Sequence, residues 1–172
     1  ARPAAVVEAV PDLSTVVFET PGDTTRAVHS ARHALQLVAA ARPDAVAATV
    51  DDAVTALHSV DSTRRQRGLE LLTTFVDADV VPVQAVRPTA TALLADDDPA
   101  VGAAAAAFLE AAIYHAEATT PAETVPVLLD ATESGDSDRR GAATAALAAI
   151  ANDTPDAVPT DAVRPLLTAA DY

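Results

Sequence analysis

Asp98-Pro99-Ala100-Val101-Gly102-Ala103-Ala104-Ala105-Ala106-Ala107-Phe108-Leu109, running on to Ile113, is the stretch that decides how this chain is read. An aspartate ahead of a helix accepts hydrogen bonds from the free N–H groups of the first turn and suits the positive end of the helix dipole. Proline is tolerated at the first helical position. Behind them, the alanine run with Phe108, Leu109 and Ile113 forms one buried helical face. Similar starts stand at Asp23, Asp61 and Asp136, so the four are separated by 38, 37 and 38 residues. A unit of that length, repeated, implies stacked helix pairs rather than a single globular core.

Working outward, the spacing predicts a leading helix over 3–19 and repeats near 23–60, 61–97, 98–135 and 136–172, which together make one repeat domain over 1–172. First helices are expected near 23–41, 62–77, 99–116 and 137–152. Second helices are expected near 44–58, 81–95, 121–133 and 158–170. Pro11 is expected to bend or interrupt the leading helix. Thr120-Pro121-Ala122-Glu123 reads as a capping box.

Positions 7, 11 and 14 after each Asp share one helical stripe. They read Ser30, Gly68, Ala105 and Ala143, then Ala34, Leu72, Leu109 and Leu147, then Leu37, Phe75, Ala112 and Ile150. The small first member lets another helix cross closely. Second helices share an anchor valine: Val10, Val50, Val86, Val125 and Val163. The predicted fold class is therefore all-α: about nine helices, as four hairpins plus the leading helix.

The pattern Asp-x-x-Val/Arg-Arg/Gly-x-x-Ala-x-x-x-Leu, with second helices such as Val163-Arg164-Pro165-Leu166-Leu167, resembles HEAT repeats of the armadillo-like class. Arg65 and Arg140 fall where that family usually has arginine, whereas Ala27 and Gly102 depart from it. The resemblance implies a right-handed α-α superhelix, with an Asp–Arg ladder between neighbours and second helices lining the inner face. It also implies a scaffold or adaptor role, the alternative being a HEAT-like lyase or hydroxylase-type enzyme or accessory subunit.

Composition narrows the function further. The net charge is −14, from 25 acidic residues against 11 basic ones, and every basic residue is arginine. This composition resembles haloarchaeal proteins, so the acidity reads either as adaptation to high salt or as attraction for a basic partner. Such a chain repels nucleic acid and anionic membranes on average. With no cysteine, disulfides, thiolate metal sites and cysteine nucleophiles are excluded. No run approaches the ~18 apolar residues of a membrane span, and Ala1-Arg2-Pro3 does not read as a signal peptide. A cytoplasmic location is expected. The chain lacks an initiator methionine, which suggests processing or excision from a longer protein.

Few residues suggest chemistry. His29 and His33 have the spacing of a two-histidine metal site, but no third ligand follows, and His33 is expected to pack between helices. His58 and His115 suit helix ends, where a cation is favoured. Asp96-Asp97-Asp98 is either an acidic site or a solvated turn whose last member is a cap. Arg64, Arg65 and Arg67 could bind an acidic peptide or a phosphate, or else pair with nearby carboxylates. No phosphate loop or nucleophile elbow is present, so no catalytic residue, metal or cofactor is expected. The expected binding surface is protein-directed. It is the column one and five residues after each anchor valine: Asp51 and Thr55, Arg87 and Thr91, Pro126 and Asp130, Arg164 and Thr168. Self-association through exposed ends of the repeat array is a further expectation.

Overall fold

The structure is a computed structural model that describes residues 7–21, 25–115 and 124–159. These residues are helical, with no strand among them. The helices are α1 (Val10–Glu19), α2 (Thr25–Ala41), α3 (Ala47–Ala56), α4 (Ser62–Val76), α5 (Val83–Leu93), α6 (Pro99–His115), α7 (Thr124–Thr132) and α8 (Ser137–Asp153). Short 3₁₀ turns at Pro43–Val46 and Pro155–Ala157 precede α3 and follow α8. The predicted capping box at 120–123 and most of the final predicted helix, with Val163 and Arg164, lie outside the described residues. So does Asp23. Pro11 interrupts the leading helix as expected: Ala9 is a turn, and Pro11 occupies the first turn of α1, where its missing N–H costs nothing.

The chain divides into two compact units, Ala1–Pro82 and Val83–Tyr172. In the first, α1 packs on α2 and α3 on α4, while α2 also lies against α4 and α1 touches both α3 and α4. In the second, α5 packs on α6 and α7 on α8, and α6 lies along α8 in the most extensive helix–helix contact of that unit. The tight hairpins therefore join each second helix to the first helix that follows it. The expected pairing was within each Asp-led repeat; inside each unit a first helix instead makes its more extensive second-helix contact with the one before it.

The aspartate turns explain this pairing. The Ser59 Oγ accepts the Asp61 N–H at 3.1 Å, and the Asp61 Oδ1 accepts the N–H groups of Thr63 (2.9 Å) and Arg64 (3.4 Å). Arg65 Nη1 then donates back to the carbonyls of Ser59 (2.9 Å) and Val60 (3.2 Å). The same device recurs in the second unit. There Ser134 Oγ accepts from Asp136 N (3.2 Å), Asp136 Oδ1 from Arg139 N (2.8 Å), and Arg140 Nη1 donates to the Ser134 carbonyl (2.9 Å). Each turn thus satisfies the orphan groups at both of its ends, so the chain reverses there in few residues.

The turn before α6 has the caps but not the arginine. Asp96 Oδ1 accepts the Asp98 N–H at 2.9 Å, and Asp98 Oδ1 accepts the Ala100 N–H at 3.0 Å. Where the other turns have arginine stands Gly102. Arg139 Nη2, reaching over from α8, donates to the Leu94 carbonyl at the end of α5. A Cβ on Gly102 would lie 3.0 Å from Arg139 Nε and 3.2 Å from that carbonyl. The glycine is the clearance for Arg139, which bonds a carbonyl four residues before Asp98, whereas Arg65 and Arg140 take those one or two residues before their own Asp. Asp96-Asp97-Asp98 is accordingly a turn and a cap.

The predicted stripe holds in three repeats. Gly68, Ala105, Ala143, Leu72, Leu109, Leu147, Phe75, Ala112 and Ile150 are all buried. At Gly68 the close crossing is direct: an added Cβ would meet the Ala53 carbonyl oxygen at 2.8 Å. In α2 the stripe is displaced by one residue. Ala31, Leu35 and Val38 are buried, while Ser30 is exposed, Ala34 is half-buried and Leu37 is 60% exposed. One residue turns a helix by about 100°, so alignment on Asp23 put the wrong face inward. Alignment on Thr24 restores the pattern. The anchor valines Val10, Val50, Val86 and Val125 are buried.

Candidate functional site

The predicted column lies off the packing stripe wherever it is described. Asp51 and Thr55 are exposed on α3, Pro126 and Asp130 on α7, and Arg87 and Thr91 are half-buried on α5. Arg87 donates to Gln84 one turn earlier on its own helix. Arg164 and Thr168 lie outside the described residues.

In the first unit this surface deepens into a groove of about 820 Å³ between α1 and α3. Its α1 wall carries Val10, Pro11, Ser14, Thr15, Phe18 and Glu19, and its α3 wall Ala48, Thr49, Asp52, Thr55 and Ala56. Ser14 and Thr49 are buried. Asp51 is not among the lining residues; its neighbour Asp52 is. The α1 wall was not expected, although the anchor-valine spacing contains it. Val10 is an anchor valine, and the positions one and five beyond it are Pro11 and Thr15, both in the groove. Asp52 and Phe18 had no such signal, since they enter through the angle between the two helices.

Arg64 closes one end. Its guanidinium stands 5.9 Å from the centre of the Phe18 ring and 3.1 Å from Glu19 Oε1. Both partners of this ion pair are about half exposed, so it positions the side chains more than it stabilises the fold. The three arginines read as one basic cluster diverge. Arg64 faces this groove and Arg65 holds its own turn. Arg67, only 9% exposed, donates from Nη1 to the carbonyls of Val17 (3.1 Å) and Thr20 (2.7 Å) at the end of α1.

His33 is exposed, not packed between helices, because the one-residue displacement of α2 turns it outward. His29 is exposed as well. Among the described residues, no three His, Asp or Glu side chains are grouped as metal ligands, and no helix is long and apolar enough to cross a membrane.

No family model matches the chain, and no curated protein matches it. Among solved structures, it is similar to the crystal structure of an engineered protein from a structural genomics consortium. The TM-score is 0.55 at 22% identity, over 94% of this chain and 68% of that one. At that identity the likeness speaks to the helical fold alone.

Proposed function

We propose that this chain is a HEAT-like, non-enzymatic scaffold that binds another protein along the exposed faces of its second helices, in a high-salt setting. The observation that carries the reading is the groove between α1 and α3. It has the size of a ligand-binding cleft, yet it is built as a docking channel. Val10, Pro11, Phe18 and Ala48 offer apolar contact, and Asp52 and Glu19 stand on its walls. The recurrence of the Asp turn and the anchor valine supports the HEAT-like reading.

The occupant that fits is an amphipathic segment of a partner protein, with apolar anchors on one face and arginine or lysine beside them. An apolar face placed in such a groove supplies affinity, and basic side chains facing Asp52 and Glu19 in a chain of net charge −14 supply register and partner choice. At high salt the charge contribution is screened, so the apolar anchors carry most of the binding.

The test is a substitution series on the α3 wall. Ala48 and Thr55 are both exposed, so Ala48→Arg and Thr55→Arg fill the groove without disturbing the core. The purified double variant is expected to keep the wild-type melting temperature and to lose a stoichiometric partner that the wild type and His33→Arg both retain in molar KCl. Equal retention by all three proteins would refute the groove as the docking surface.

A further inference from the structure

Between α2 and α4 the first unit has a second groove of about 590 Å³, with walls of opposite character. From α2 come Arg26, His29 and Arg32, and from α4 come Thr63, Gln66, Arg67 and Glu70. In a molecule of net charge −14 with only 11 arginines, three of them converge here. The lining carboxylate among the described residues is Glu70, held at one end by Arg32 and by Gln66 Nε2 at 2.8 Å. Among the described residues, three arginines and one carboxylate line this groove. Arg67 is the most constrained: it is 9% exposed, and its described acceptors are neutral carbonyls. Those carbonyls belong to the last turn of α1, whose negative dipole end favours a cation, and they hold the arginine in place. An arginine already held in place loses little entropy when an oxyanion arrives.

We propose that this groove binds a phosphate dianion, with Arg26 and Arg67 as its charged contacts and Thr63, Gln66 and His29 as neutral ones. Glu70 marks the closed end, where its own charge turns the ligand back. The site is independent of the protein-docking groove, sharing no lining residue with it. Phosphate chemistry can come from free phosphate or from a phosphorylated side chain, and the two are separable by experiment.

Backbone amide shifts of the ¹⁵N-labelled full chain are followed while inorganic phosphate, and in a second arm O-phosphoserine, replace KCl at constant ionic strength. Saturable shifts confined to the facing turns of α2 and α4 are expected. Tighter binding of O-phosphoserine identifies a phosphorylated side chain as the ligand, and tighter binding of inorganic phosphate identifies the free ion. Arg26→Gln is expected to weaken binding by about tenfold, the loss of one charge-assisted contact. Glu70→Gln keeps an acceptor for Gln66 while removing the opposing charge, and is expected to tighten binding several-fold. Melting curves establish that both variants are folded. Three results would each overturn the site: no saturation by either ligand, an Arg26→Gln variant that binds as wild type, or a Glu70→Gln variant that binds more weakly.

Discussion

Glycines at two positions of the first helices face opposite demands. Gly68 lies where α4 crosses α3, and a methyl group there would press on the Ala53 carbonyl at 2.8 Å. Alanine is intrinsically better in a helix by about 1 kcal/mol, but overpacking against a fixed backbone costs about 1–3 kcal/mol. Gly68→Ala is therefore expected to lower stability in denaturant titrations. Gly141 on α8 is exposed, with nothing within 4 Å of an added Cβ. There only the propensity gain remains, and Gly141→Ala is expected to raise stability by about 0.5–1 kcal/mol. Gly102 is a third case. Its departure from the arginine of its neighbours is visible in sequence, but the reason is Arg139, which lies 37 residues on and is brought close only by folding. Arg139→Met would strand the Leu94 carbonyl, with an expected loss of about 1–3 kcal/mol in the same titrations.

Helix starts and the stripes of three first helices were legible because each rests on local chemistry repeated at a fixed interval. The Asp turns illustrate this: Asp61 and Asp136 cap α4 and α8 by accepting, at Oδ1, the N–H three residues on, and replacing either with alanine is expected to cost about 1 kcal/mol. Two things at this scale were not legible. Pairing of each second helix with the following first helix depends on how short the Asp turn becomes once its groups are bonded, and spacing alone does not fix that. The face of α2 was ambiguous because Ala27 and Val28, Ala34 and Leu35, and Leu37 and Val38 offer two stripes one residue apart. The structure separates them sharply. Leu35→Ala is expected to cost about 2–5 kcal/mol as a buried truncation, whereas Leu37→Ala, at a 60% exposed site, should stay within about 0.5 kcal/mol of wild type.

For the whole molecule, charge is the dominant fact. Twenty-five carboxylates against 11 arginines leave a net charge of −14, and several of those arginines donate to backbone carbonyls. Self-repulsion should therefore weaken the fold when salt is low. The melting temperature is expected to rise from low to molar KCl, and a flat profile would contradict adaptation to salt. The candidate groove was only half legible. Thr55 followed from the anchor-valine rule, while Phe18 and Asp52 join it through helix–helix packing that no local pattern records. The scaffold reading stands or falls on whether a partner occupies that groove. A photo-crosslinking residue placed at Thr55, and separately at exposed His33, tests this in a high-KCl lysate. One dominant adduct from position 55 is predicted, competed away by unlabelled wild type but not by the Ala48→Arg, Thr55→Arg double variant. The same adducts from both positions, or none from position 55, would contradict it.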